Sequence, residues 1–420
     1  MQDIPETLVR NYTTEQGFHR GLPPHLVFWD ETLRDGEQTP GVSYSAEEKL
    51  TLAKILDDMG VGIINAGIPV VSPEEERAVK KLAQEGFRAS ILAAARTVRK
   101  DVDAVIDCDV DEIAIFVPSS DLHLKYKLKM TREQVLEISV REVEYAKDHG
   151  LVVSFVTEDT VRADLDYVEK LYNACIEAGA SRAVLCDTVG VATPIMMRWF
   201  VEEVKKRFKP VQLSIHCHND FGMAVANTIA AIEAGVEVPH TCVNGLGERS
   251  GNTSFEELVT ILETLYQHNT GIKLQRLFEL SKQVEELSGV PLGVNKPIVG
   301  YNAFSHESGI HAHGVLQNTL TYEPIQPETV GRTRRFIFGK HTGASAVVDK
   351  LEHAGILDLP REQILDIVNK IKAKAEHRDK RDLEAFVRMY REREDKGLGV
   401  TGEEFWEIIR SLGVKIPEGK

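Results

Sequence analysis

From residue 27 onward, short apolar runs alternate with longer segments in which apolar residues recur every three to four positions. The runs fall at 27–29, 62–65, 90–94, 112–117, 152–157, 182–186, 212–216 and 240–243, mostly about thirty residues apart. Many are β-branched and short, which predicts buried strands. The segments between them, such as 46–59, 73–85, 131–149 and 194–208, predict amphipathic helices. Several carry start signals. Ser45 ahead of Ala46-Glu47-Glu48 reads as a capping box, and Thr193-Pro194 puts proline in a first turn. Gly60, Gly150, Gly179 and Gly235 stand where helices should stop. Eight strand–helix units in series predict an α/β fold, a (β/α)8 TIM barrel over residues 26–274. A doubly wound open sheet is the alternative, and the dinucleotide glycine fingerprint it would call for is missing.

Outside that rhythm the chain reads differently. Residues 1–25 predict an irregular arm ended by Leu22-Pro23-Pro24. Residues 275–420 predict a small helical C-terminal region, with helices at 274–287, 344–354, 361–377, 382–394 and 400–412.

The polar residues gather at the predicted strand ends, the face where barrels carry function. Strand one runs into Asp30, Glu31, Arg34, Asp35, Glu37 and Gln38. Strand two ends at Asn65, and strand three leads to Arg96. Strand four leads to Ser119, Ser120 and His123, and strand five ends at Glu158-Asp159. Strand six ends at Asp187-Thr188, and strand seven at His216 and His218. Strand eight leads to Asn244 and then to 245–252. So many charges are costly to bury unless they are paired or bind a cation.

Composition narrows the partners. Hydrophobic residues make up 42% of the 420 positions and charged residues 27%, with a formal net charge of -15. A strongly acidic chain argues against nucleic acid. The five cysteines form no CxxC pair and read as reduced core residues, Cys217 and Cys242 included. A polar start and the lack of a membrane-length apolar run predict no membrane association and a cytoplasmic location.

His216-x-His218 on extended backbone points both side chains the same way, because strand period is two. With Asp35 this set suits one divalent cation, with Asn252 as a further oxygen ligand and Asp220 orienting His218. Arg34 beside that cation reads as a donor to a developing oxyanion. Glu158 reads either as a proton-transfer group or as half of a solvated pair. Thr188 reads either as a cap or as a donor to substrate. Lys125, Lys127 and Lys129 read as a solvated helix face.

Five motifs make the chain recognisable: DETLRDGEQTPG, HCHNDFG, GLGERSGN, NAFSHESGIH and FGKHTG. Together, over about Val27 to Gly343, they resemble the acetyl-CoA-dependent 2-alkylmalate synthases. These are the 2-isopropylmalate, homocitrate and citramalate synthases, within the larger group of metal-dependent lyase-like barrels. The resemblance implies an acyltransferase of amino-acid biosynthesis, such as leucine biosynthesis, joining acetyl-CoA to a 2-oxo acid. It implies that Asp35, His216 and His218, with Asn252 nearby, hold a divalent metal (Mg, Mn or Zn). It implies that Arg34 polarises the ketone and that Gln38 and Thr188 contact substrate. It implies a homodimer with a swapped helical arm, in which His311 and Tyr322 reach the neighbouring barrel and join Glu158 in acid/base chemistry. A lyase or aldolase of the same superfamily is the competing activity.

Three departures shape the expectation. The family's second strand usually ends in a glutamate that braces the arginine; here Asn65 stands there, able to hydrogen-bond Arg34 but without charge. The strand-five position that carries an arginine in homocitrate synthases is Ser154. The chain ends about eighty residues after FGKHTG, so no leucine-binding regulatory domain and no feedback through one are expected. An apolar 2-oxo acid such as 2-oxoisovalerate is favoured, with a dicarboxylic or otherwise polar one as runner-up if Arg96 points inward.

Overall fold

The computed structural model describes residues 8–377, Arg388 and residues 400–412. The predicted helix at 382–394 lies outside the described residues apart from Arg388.

Eight parallel strands close into a barrel in strict chain order. They are β1 (Trp29–Asp30), β2 (Ile63–Gly67), β3 (Ser90–Arg96), β4 (Glu112–Pro118), β5 (Val152–Glu158), β6 (Arg182–Asp187), β7 (Gln212–Cys217) and β8 (Val238–Thr241). Each is followed by a helix: α1 (Ala46–Met59), α2 (Pro73–Ala83), α3 (Arg99–Ile106), α4 (Arg132–Asp148), α5 (Leu165–Ala178), α6 (Pro194–Arg207), α7 (Ala224–Glu233) and α8 (Phe255–Thr264). The barrel closes where Trp29 pairs with Ile63 on one side and His240 on the other.

Two strand positions differ from the pattern. β1 starts at Trp29 rather than Val27. Residues 27 and 28 are nonetheless tied to both neighbours, Val27 N–H to Glu237 O and Gly62 N–H to Phe28 O. β8 starts at Val238, before the predicted run, and takes Pro239 into the strand opposite Ile215.

Local signals do their expected work. Ser45 and Glu48 exchange both bonds of the capping box that starts α1. Gly60 ends α1 at φ 103°, and a Cβ there would come within 2.8 Å of Gly271 O. Residues 8–25 are not wholly irregular. They form a helical turn at Tyr12–Glu15 and a 3₁₀ turn at Phe18–Gly21, and Asn11 Nδ2 donates to Leu265 O.

The barrel interior is layered. At the bottom, Arg182 donates to Glu112 and Ser154 at 2.8 and 2.7 Å, and its guanidinium lies 5.5 Å from the centre of the Trp29 ring. Above it Trp29, Ile63, Leu92, Ala94, Ala114, Val184, Cys186 and Val238 pack as an apolar plug. The polar side chains lie above that plug, so this is where a ligand has room.

The described residues divide into two compact units, one running to 292 with 297–299, the other comprising 293–296 and 300 onward. The first contains the barrel and a helix at Leu277–Ser288. The second has helices at Gly309–Gln317, Ala344–His353, Arg361–Glu376 and Gly402–Ser411, and a two-stranded parallel sheet pairing Ser305–His306 with Arg335–Phe336. No helix among the described residues is long and apolar enough to cross a membrane.

Candidate active site

The turn after β1 carries the densest chemistry, and its own side chains shape it. Both Asp30 oxygens accept from Thr32, at 2.9 and 3.0 Å, while Glu31 O accepts from the N–H groups of Arg34 and Gly36. This tight fold projects Glu31, Arg34 and Asp35 over the barrel. Lys49 on α1, fully buried, braces it by pairing with Glu37 and Glu75 at 2.7 Å each.

Asp35 meets the end of β7. Its Oδ2 lies 3.1 Å from His216 Nε2 and 3.5 Å from His218 Nε2, and the two Nε2 atoms are 3.2 Å apart. Three ligand atoms thus converge on one point. Burial alone would raise the Asp35 carboxyl, but Arg34 and the two histidines hold it well below the usual range. Burial, with His216 and Arg34, drives His218 down to about 3, so its ring is neutral and offers a lone pair. Asn252 reaches the same neighbourhood because its backbone bridges to His218. Its Nδ2 donates to Leu246 O at 3.1 Å, leaving Oδ1 buried and unpartnered, as is Asp35 Oδ1. Buried oxygens without donors beside the ring nitrogens of His216 and His218 suit a divalent cation. Gly251 makes this approach possible: at φ 82°, a Cβ there would lie 1.8 Å from Gly245 O.

A second trio, Glu31, His216 and His240, is equally close-set. Glu31 is already engaged by Arg34 and Asn65, so its charge is spent. Arg34 Nε donates to Glu31 Oε2 at 2.6 Å, and its Nη1 lies 3.6 Å from Asp35 Oδ2. Burial would lower the Arg34 guanidinium, but these two carboxylates raise it, so it stays charged. Burial opposes the Glu31 carboxylate, yet Arg34 and His240 hold it at about 2.

A cavity of about 210 Å³ opens between these groups. Asp35, Arg34, Gln38, Asn65, Glu158, Thr188, His216 and His218 all line it, and so do Ile68, Ala94, Ala114, Phe116 and Val156. The structure therefore gathers most of the candidate residues around one space. Thr188 Oγ1 accepts from Asp159 N–H at 2.8 Å, leaving its own proton free to donate.

Others lie elsewhere. Arg96 turns away from the cavity to Asp101, at 2.5 and 3.1 Å, with its side chain 59% exposed. His123 is not among the lining residues; its Nε2 lies 3.9 Å from Asp159. Asp220 does not orient His218: Arg249 takes both its oxygens, at 2.7 and 2.9 Å. Asn65 bonds Glu31, not Arg34, so the charge missing from strand two is supplied by strand one. The three lysines are not a simple helix face. Leu124–Leu128 is a π-helical turn closed by Lys129 at φ 57°, and Lys127 reaches Glu158. His311 and Tyr322 belong to the second unit. Their rings lie 4.3 Å apart, His311 exposed and Tyr322 46% exposed.

Sequence reasoning set Glu248 and Arg249 at the end of strand eight without a role and missed His240, and all three line the cavity. Arg249 had a readable signal, since it follows the glycine-rich turn after strand eight. His240 had one too: counted in steps of two from Val238, it falls on the inward face.

A closed (β/α)8 barrel with an Asp-His-His cluster and an arginine at its mouth defines the class of protein, an HMGL-type barrel. The chain belongs to the HMGL-like family: the family's model matches residues 25–284, and residues 298–379 match the homocitrate synthase post-HMGL domain-like model. The chain is 49% identical over 372 residues to a 2-isopropylmalate synthase of Methanocaldococcus jannaschii, covering 87% of this chain and 72% of that one. It is also 49% identical over 368 residues to the homocitrate synthase AksA of Methanopyrus kandleri, covering 87% and 92%. A putative (R)-citramalate synthase of the same organism is 49% identical over 367 residues, covering 87% and 72%. Among solved structures, hydroxymethylglutaryl-CoA lyase from Pseudomonas aeruginosa shares the fold, with a TM-score of 0.59 and 23% identity over 66% of this chain and 97% of that one.

Proposed function

We propose that the chain is an acyltransferase that condenses acetyl-CoA with a 2-oxo acid and hydrolyses the thioester, giving a 2-alkylmalate-type product and free CoA. The observation that carries this reading is the pairing of Arg34 with the Asp35–His216–His218 cluster over one cavity, in a chain whose relatives bear synthase names.

Asp35, His216 and His218, with Asn252, would hold the divalent cation, Mg, Mn or Zn. When bound, it supplies Lewis acidity to the ketone of the 2-oxo acid. Arg34 directs its guanidinium at the ketone oxygen and shares the negative charge that develops there. Gln38 and Thr188 donate to the substrate carboxylate. Glu158, with His311 and Tyr322 of the partner subunit, takes a methyl proton from acetyl-CoA. The enolate carbon then bonds to the ketone carbon, the carbonyl pair moves to the ketone oxygen, which takes up a proton as the product hydroxyl, and water adds to the thioester carbonyl and expels CoA as its thiol. The exposed His311–Tyr322 ring pair fits a homodimer whose swapped helical arm serves the neighbouring barrel. We assign the enzyme to the cytoplasm.

The substrate we favour is an apolar 2-oxo acid such as 2-oxoisovalerate. Ile68, Ala94, Ala114, Phe116 and Val156 give the cavity an apolar wall. Arg96 is spent on Asp101, and Ser154 lies in the bottom layer with Arg182. The runner-up, a polar or dicarboxylic 2-oxo acid, needs Arg249, which lines the cavity, to be drawn from Asp220.

Release of free CoA, followed with a thiol reagent over a panel of 2-oxoisovalerate, pyruvate, oxaloacetate and 2-oxoglutarate, tests both statements. CoA release only with a 2-oxo acid present supports the synthase. Cleavage of a 2-alkylmalyl-type product without condensation would favour a lyase. A hundredfold preference for a dicarboxylate, about 3 kcal/mol of transition-state discrimination, would overturn the apolar choice.

A further inference from the structure

The end of β1 holds a buried carboxylate that the condensation itself does not use. Glu31 is 1% exposed, binds two side chains and lies against a third. Its Oε2 accepts from Arg34 Nε at 2.6 Å. Both of its oxygens accept from Asn65 Nδ2, at 3.2 and 3.0 Å. Its Oε1 lies 3.4 Å from His240 Nδ1.

We propose that Glu31, held by Asn65, is the positioning residue that aims Arg34 into the cavity and keeps it off Asp35. The inference rests on the role proposed above for Arg34. Two carboxylates flank the guanidinium. Asp35 is the one whose lone pairs a cation needs, and it sits only 3.6 Å from Arg34 Nη1. A guanidinium without another anchor would close that gap and form a charge-assisted pair with Asp35. Glu31 prevents this by taking the Nε edge, which leaves the terminal nitrogens to face the cavity.

Asn65 makes the anchor rigid. Its Oδ1 accepts from Gly67 N–H at 3.3 Å, so the amide cannot flip, and its Nδ2 must point at Glu31. The amide on β2 and the carboxylate on β1 thus form one unit with one negative charge. A carboxylate at both positions would put two like charges about 3 Å apart. The unit predicts that charge and amide can be exchanged between the strands with little change in shape.

The test uses Glu31→Gln, Asn65→Asp and the isosteric double swap, in protein labelled with 15N at arginine Nε. The Arg34 Nε–H resonance is assigned by its loss in Arg34→Lys, in the absence of substrate and added cation. In the wild type it is expected to be shifted downfield and protected from solvent exchange. Glu31→Gln should abolish the protection and lower kcat about a hundredfold, with the metal content unchanged by elemental analysis. The double swap should restore protection and recover at least tenfold in kcat. An unchanged Arg34 resonance in Glu31→Gln, or a double swap no better than Glu31→Gln, overturns the proposal. If Glu31→Gln does not fold, Asn65→Ser removes only the brace; protection unchanged there also overturns it. A wild type that releases no CoA with any 2-oxo acid would defeat the proposed reaction, while the resonance would still judge the role of Glu31.

Discussion

Lys127 grips both carboxylate oxygens of Glu158, at 2.8 and 2.7 Å. The two residues come from different strand ends, and Glu158 lines the cavity while Lys127 stands outside it. The lysine side chain is 53% exposed, so the pair is worth no more than about 1 kcal/mol and can be released. If Glu158 moves a proton, Glu158→Gln should lower kcat by about a hundredfold, while Lys127→Met should change it only a few-fold. Equal losses in steady-state assays of both variants would reduce Glu158 to half of an ion pair.

The cation cluster yields a second expectation. His216→Ala and His218→Ala each remove one of three converging ligand atoms. Loss of groups that merely orient ligands already costs about 10–100-fold in metal affinity, so both variants should purify with little bound divalent metal. Elemental analysis reads the result directly. A full metal equivalent in both would show that the cation, if any, sits elsewhere.

Arg96 should matter for stability and not for substrate choice. Its partner Asp101 is 2% exposed and would be left buried without its cation. Arg96→Ala should therefore lower the thermal midpoint, by about 1–3 kcal/mol in stability. The ranking of 2-oxo acids in kcat/KM should stay the same. A selective loss of activity toward 2-oxoglutarate would instead put Arg96 in the substrate site.

His240 gives the protein an acid limb. Burial against Trp29, opposed by Glu31, brings its pKa down to about 4 from the ordinary 6.5. Between those values the unfolded chain binds a proton that the folded chain does not. Stability from this group is thus complete above pH 6.5 and is lost as pH falls toward 4, by up to about 3 kcal/mol. Thermal melts of the metal-free protein from pH 7 to pH 4.5 should show the decline, and His240→Gln should flatten it. The same slope in that variant would assign the acid limb to other groups.

Mixing tests the shared site. Arg34→Ala and His311→Ala subunits, each inactive alone, should regain part of the wild-type kcat once subunits have exchanged. No recovery after exchange, verified by mass labelling, would count against a site shared between subunits.

Much of the fold was written in local pattern. Short β-branched apolar runs and a period of three to four set the eight strands and the helices after them, because parallel barrel strands are buried on both faces while each helix buries one stripe. The capping box at Ser45 and the stop at Gly60 lay where backbone chemistry requires them. The cluster of Asp35, His216 and His218 was legible for a related reason: all three sit at strand ends, and barrel closure sends strand ends to one place. What tertiary structure alone decided was pairing. Glu31 reads as one charge among five until packing turns it toward both Arg34 and Asn65. Arg96 was open to two directions until Asp101 claimed it, and Asp220 was claimed by Arg249 rather than by His218. Lys127 finds Glu158 only because a π-helical turn brings it there. Sequence spacing sets the face on which a side chain begins. Which opposite charge a long, flexible side chain reaches depends on distances across strands, and those exist only once the barrel has closed.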